Sequence, residues 1–162
     1  MTVSVRMFEP KDAPEFRLLH GACLRHYGIA PATPEQEDRV IRCLVDRRHM
    51  ACHLALHQGR PVGFATWGLN IPAGPGLSLV MKELFVAPEA RKLGVGTSLI
   101  ATLIDVARAE ECERLDWATD GSNAGAQAFY DAIGAKKLTK QAYRIPSGDF
   151  DRFHASLTAH QS

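Results

Sequence analysis

One stretch, from Met81 to Thr97, constrains this chain more than any other: Met-Lys-Glu-Leu-Phe-Val-Ala-Pro-Glu-Ala-Arg-Lys-Leu-Gly-Val-Gly-Thr. Leu84, Phe85 and Val86 suit a buried strand. Pro88 ends it, because proline has no N–H to give to a ladder. Gly94 and Gly96 leave the next loop's backbone bare. Beyond the loop, Val95, Leu99, Leu103, Ile104 and Ala107 recur at helical spacing. A strand, glycine loop and helix in this order aim unpaired N–H groups and the positive end of a helix dipole at one point. Such a point favours a phosphate or pyrophosphate.

Two familiar phosphate loops are excluded. The Walker loop needs four residues between its glycines and a Lys-Ser/Thr pair after the second. Here Gly94 and Gly96 are separated by Val95 alone and followed by Thr97-Ser98. The dinucleotide fingerprint needs a third glycine where this chain has Leu99. What remains is Arg91-x-x-Gly94-x-Gly96 directly after a Leu-Phe-Val-x-Pro strand end. An ordinary strand-to-helix turn with two glycines is the plain reading of these residues. In this setting, however, the pattern resembles the acyl-CoA-binding motif of the GNAT family, the Gcn5-related N-acetyltransferases. The resemblance implies acetyl-CoA as acyl donor. The N–H groups of Leu84, Phe85 and Val86 would then face the thioester carbonyl. Those of Arg91, Lys92, Leu93, Gly94, Val95, Gly96 and Thr97 would hold the pyrophosphate, with Arg91 and Lys92 placed to meet the 3′-phosphate.

A length of 162 residues allows one well-buried domain, expected to span 1–162, and is short for two. An apolar share of 46% fits a packed core rather than disorder. The net charge of +1 argues against a nucleic-acid partner. Cys23, Cys43, Cys52 and Cys112 are widely spaced and form no Cys-x-x-Cys pair. They read as small hydrophobes in a reducing compartment, so a cytoplasmic location is expected, with no metal knuckle. No run of eighteen apolar residues is present, and the N-terminus lacks the order of a signal peptide; no membrane partner is expected.

Alternation from Thr2 to Phe8 predicts a first strand. Asp12-Ala-Pro-Glu15 reads as a helix start with Asp12 as N-cap, Phe16, Leu19, Cys23 and Tyr27 on its apolar face, and Gly28 as its end. Thr33-Pro-Glu-Gln36 opens a second helix reaching Arg48. Two strands, Ala51 to His57 and Pro61 to Gly68, are joined by a turn at Gln58-Gly59-Arg60. Ile71 to Gly76, with two prolines and two glycines, is a loop of the kind that borders sites. Leu77 to Val86 is the central strand, Gly94 to Glu110 the long helix, and Leu115 to Ala118 another buried strand. A helix over Asn123 to Ala132 stops at Gly134. Two last strands, Ala135–Leu138 and Ala142–Ile145, precede a short helix over Asp149 to Leu157. The order β-α-α-β-β-β-α-β-α-β-β predicts an α/β fold: one mixed sheet with helices on both faces. This is also the order of the GNAT fold, and the opening Arg6 to Asp12-Ala13 looks like its first strand and helix.

A second segment strengthens the resemblance. Asn123-x-x-Ala126-x-x-Phe129-Tyr130-x-x-x-Gly134-Ala135 is similar to the second CoA-contacting segment of GNAT enzymes. Read on residues alone, Asn123 is a helix cap, Phe129 shares a face with Ile133 and packs in the core, and Tyr130 is a half-buried aromatic. The resemblance adds that Asn123 and Phe129 contact the cofactor's arm and that Tyr130 lies by the sulfur as general acid. A phenol suits a departing thiolate, since their unperturbed pKa values are about 10 and about 8.5.

Glu83 is the candidate base. Strict alternation puts it on the face of Leu79, Met81 and Phe85, with Lys82 on the other. A solvated Glu83, or a water chain with no side-chain base, are the alternatives. Diamine-type relatives carry two acidic residues here; in this chain the first is Lys82, which argues against a dicationic acceptor. The ending Tyr143-Arg144-Ile145 looks like that of the same relatives. No cysteine adjoins Glu83 or Tyr130 in sequence, so direct transfer is expected. His20, His26, His49, His53 and His57 lack the acidic or thiol company of a metal site and read as structural. Lys136, Lys137 and Lys140 read as a solvated edge. Trp67 reads as core, or as a wall of the amine pocket. The function implied is acetyl transfer from acetyl-CoA to a primary amine, a small amine or amino acid. A protein N-terminal or ribosomal acetyltransferase and a non-catalytic CoA-binding module are the rivals. The resemblance also implies a possible homodimer.

Overall fold

A computed structural model of the protein describes residues 3–47 and 49–159. The expected start of the first strand at Thr2 and the expected end of the second helix at Arg48 lie outside the described residues. Residues up to Ala118 form one compact unit and those from Thr119 onward a second.

The first unit runs β1 (Val3–Met7), α1 (Ala13–His26), α2 (Pro34–Asp46), β2 (Ala51–His57), β3 (Arg60–Asn70), β4 (Leu77–Val86), α3 (Val95–Ala109) and β5 (Cys112–Asp116). The strands form one sheet in the order β1-β2-β3-β4-β5, antiparallel except for the parallel β4–β5 pair. The mixed α/β class read from the sequence is therefore the fold. Cross-strand register assigns the two faces. Leu54, Phe64 and Phe85 are successive neighbours on one face. There the Phe16 ring of α1 lies 5.1 Å from Phe64. Ala55, Gly63 and Val86 mark the opposite face, where α3 packs through Val95. Phe8, Phe16, Leu19, Cys23, Leu44, Cys52, Leu54, Phe64 and Phe85 make the core on the α1 side. On the α3 side Leu99 and Leu103 are fully buried. Each such side chain contributes about 1.5–3 kcal/mol. Burial pushes the Cys23 and Cys52 thiols up to about 12, so both behave as hydrophobes. Among the described residues no helix is long and apolar enough to cross a membrane.

Local chemistry explains the element ends. Thr33 accepts the Gln36 N–H while Gln36 answers at the Thr33 N–H, as the capping box predicts. Gln58 and Gly59 both take left-handed backbone angles, φ 53° and 77°, which a tight hairpin needs. The start of α1 differs from expectation. A short 3-10 turn over Pro10–Asp12 precedes it, and Glu9 and Asp12 form the box instead of Asp12 and Glu15. The carboxylate of Asp12 is claimed by Arg6 through two 2.7 Å bonds, and also accepts the Glu9 N–H at 2.8 Å. β5 begins earlier than expected. α3 stops at Ala109 and Glu111 turns the chain in a left-handed conformation (φ 53°), so pairing with Leu77 starts at Cys112.

The Arg6–Asp12 pair ties β1 to α1 and has a measurable signature. The Arg6 hydrogen bonds hold the Asp12 carboxyl below its usual range, against the opposing effect of burial. Its contribution is full above the unfolded carboxyl's value of about 3.9 and is lost as pH falls through the lower folded value. Asp12→Asn is expected to cost about 2–3 kcal/mol at pH 7, lowering Tm by about 4–12 °C. Melts at acid pH should show that difference closing.

In the second unit α4 (Ala124–Ala132) and α5 (Phe150–Thr158) form as expected. The two last strands do not: residues 135–146 carry no strand. A strand needs a ladder partner, and the other elements of this unit are helices. Leu138 and Tyr143 in this segment are exposed.

Candidate active site

The glycine loop takes the form its sequence implies. After β4, Pro88–Ala90 makes one 3-10 turn, and Lys92 and Gly94 both adopt left-handed angles, φ 65° and 79°. Gly94 is the N-cap of α3 and supplies no side-chain acceptor. The first helical bond runs from the Ser98 N–H to the Gly94 carbonyl at 2.9 Å. The N–H groups of Val95, Gly96 and Thr97 therefore precede the helical ladder. Thr33 caps α2, and Asn123 caps α4 by accepting the Ala126 N–H at 3.1 Å, whereas α3, like α1 and α5, starts without a side-chain cap, and only α3 does so over a glycine. A bare, dipolar start is what an anion requires. Arg91 and Lys92 are exposed beside it, and Arg91 Nε donates to the Val86 carbonyl at 3.3 Å, tying the loop to the strand end.

Gly63 of β3 seats this helix start, a role the sequence did not mark. A Cβ there would lie 2.7 Å from the Phe85 carbonyl oxygen and 3.0 Å from Val95 Cγ1. Only a residue without a side chain lets β3, β4 and α3 meet so closely.

A β-bulge relocates Glu83. In the β3–β4 ladder Thr66 faces Glu83 but Trp67 faces Met81, so Lys82 is the extra residue. The bulge resets the alternation. Glu83 shares the face of Thr66, Phe64 and Phe85, while Met81 stays with Trp67 on the other. The expected companionship with Phe85 holds; that with Leu79 and Met81 does not. Glu83 is half-buried beneath α1, and the Tyr27 hydroxyl donates to its Oε1 at 3.1 Å. His20 and Cys23, on the same stripe of α1, both feel its charge. Burial holds the His20 ring below its ordinary range, with Glu37 and Glu83 opposing. Cys23 thus comes near Glu83 in space though not in sequence. Its thiol, pushed up to about 12, is unsuited to nucleophilic work.

Leu84, Phe85 and Val86 carry the strand past the bulge toward the loop. Phe85 is buried in the core, while Leu84 and Val86 are half-buried. In the second unit Asn123 is committed through Oδ1 to its cap. Phe129 and Tyr130 have ring centroids 5.3 Å apart and both are half-buried; no residue of α4 is fully buried, so Phe129 is not the core residue its spacing predicts. Lys137 donates to Gln127 at the surface, as a solvated edge would. Trp67 is core: its indole N–H donates to His53 Nδ1 at 2.9 Å, and both are buried. Among the described residues no three His, Cys, Asp or Glu side chains gather as a metal-binding group.

Residues 14–135 match the acetyltransferase (GNAT) family. Thialysine N-epsilon-acetyltransferase from Caenorhabditis elegans is 35% identical over 82 residues, 48% of this chain and 51% of the relative. The Bos taurus protein of the same name is 29% identical over 79 residues, 49% of this chain and 46% of the relative. The chain spans about half the length of these curated relatives in each match. Among solved structures, an integron cassette protein from the mobile metagenome of V. cholerae superposes with a TM-score of 0.81 at 26% identity, over 95% of this chain and 98% of that one. An aminoglycoside N-acetyltransferase in complex with CoA gives a TM-score of 0.77 at 17% identity, over 90% and 95%, a likeness of fold alone. With the bare glycine-loop helix, the bulged central strand and the matched span together, the chain belongs to the GNAT family of N-acetyltransferases.

Proposed function

We propose that this protein transfers an acetyl group from acetyl-CoA directly to the primary amine of a small amine or amino acid. The observation that carries the reading is the uncapped start of α3 over left-handed Gly94, in a chain that belongs to this family. The amides of residues 91–97 hold the pyrophosphate, and the strand end at Leu84, Phe85 and Val86 turns N–H groups to the thioester carbonyl as it gains negative charge. Glu83 takes a proton from the acceptor nitrogen. That nitrogen attacks the carbonyl carbon, and the C–S bond breaks. Tyr130, by its place in the second CoA-contacting segment, gives a proton or a strong hydrogen bond to the departing sulfur. Asn123 and Phe129 are assigned to the cofactor's arm by the same segment. The single carboxylate at the bulge, with Lys82 beside it, suits an acceptor bearing a carboxylate better than a dication. Two relatives named thialysine N-epsilon-acetyltransferase support a small-molecule amine as acceptor. Residues 1–162 act as one domain, and four unpaired thiols fit a reducing cytoplasm.

The test is thiol release from acetyl-CoA across small amines, amino acids, aminoglycosides and short peptides. Turnover is expected on amino acids or small amines. Turnover on peptide N-termini alone would replace this acceptor class. Tight CoA binding with no turnover on any amine would make the protein a binding module.

A further inference from the structure

A base is useful only if its oxygen is held where the proton leaves. The Glu83 carboxylate sits just past a bulge, where the ladder is broken and orientation must come from elsewhere. Among the described residues a neutral donor reaches it: the Tyr27 hydroxyl, at 3.1 Å from Oε1. The contact spans 56 positions of sequence, joining the end of α1 to β4.

The placement of Tyr27 is itself built. It is the C-cap of α1, followed by Gly28 at φ 65°. The Ile29 N–H returns to the Leu24 carbonyl at 2.9 Å and the Gly28 N–H to the Arg25 carbonyl at 3.1 Å. These two bonds are the paired closure of a Schellman motif. They fix the backbone from which the phenol projects. Among the described residues, groups near Glu83 include His20 and Cys23 of α1, Thr66 across the β3 ladder and Lys82 beside it, and the His26 ring lies 5.1 Å from that of Tyr27. Glu37 of α2, which also acts on His20, is engaged by Arg17 at 2.9 Å.

We propose that Tyr27 is a positioning residue: its phenol fixes Glu83 Oε1 and so presents Oε2 to the acceptor nitrogen. This rests on the reading of Glu83 as base. The proton passes from the acceptor nitrogen to Oε2, and the phenol keeps its own proton throughout. A misplacement of about 1 Å in a catalytic group can cost about 10²-fold in rate.

The experiment compares four proteins: the natural one, Tyr27→Phe, Glu83→Gln and the double variant. Turnover is read with acetyl-CoA and the best acceptor of the amine panel, and urea unfolding is read on the same set. Tyr27→Phe keeps the ring and is expected to lower kcat about tenfold with KM for acetyl-CoA unchanged. That loss should vanish in the Glu83→Gln background, and the two stability losses should be less than additive. Equal losses in both backgrounds, additive unfolding effects, or a Tyr27→Phe protein with natural turnover would each overturn the positioning role. Glu83→Gln with natural turnover would instead overturn the base reading on which it rests.

Discussion

Tyr130→Phe is expected to lower kcat by about 10²- to 10³-fold while KM for acetyl-CoA changes by less than about threefold. The substitution keeps the ring that lies against Phe129, and urea unfolding of the same variant shows whether the fold is kept. It removes only the O–H. Binding of the pyrophosphate is assigned to the amides before and within α3, in another part of the chain, and should survive. On the proposed reading the donor to the departing sulfur is lost, an interaction stronger in the transition state than in the ground state, and such losses fall on kcat. Single-turnover thiol release with saturating acetyl-CoA measures the chemical step directly. A variant as fast as the natural protein would remove Tyr130 from the reaction.

Gly63→Val should give the largest loss of stability among the substitutions considered, about 2–4 kcal/mol, or about 4–16 °C in Tm. The reason is backbone against backbone. The added Cβ meets the Phe85 carbonyl oxygen at 2.7 Å, and a carbonyl in a ladder cannot swing aside as a flexible side chain can. Relief requires β3 to move from β4, or α3 to lift at Val95. Either shifts the helix start on which the anion site depends, so CoA affinity should fall about tenfold as well. Calorimetry and CoA titration separate the two effects. A Gly63→Val protein that melts and binds like the natural one would show that this close approach is not needed.

The glycine loop was the part of the site most legible in sequence. A proline strand stop, two glycines and a helical repeat each act within a few residues, and together they specify a bare helix start whatever surrounds it. The caps at Thr33 and Asn123 were legible for the same reason. Glu83 was half legible. Its residue type and strand were evident, but its face was not, because one extra residue at Lys82 inverts every later side chain. Tyr27 was read as the end of the apolar stripe of α1, yet it is the exposed C-cap of that helix and its hydroxyl meets Glu83 of β4. Gly63 looked like any strand glycine. The two last strands were misread because alternation describes what a segment could pair with and not whether a partner is there.

The amino-acid sequence by itself determined the elements and their order as far as α4, and the phosphate-seeking loop, since propensity, capping and turn chemistry are local. Only the tertiary structure decided which face Glu83 occupies, what holds it, and how closely α3 approaches the sheet. Those depend on register and on contacts between residues far apart in the chain, which no short-range pattern encodes.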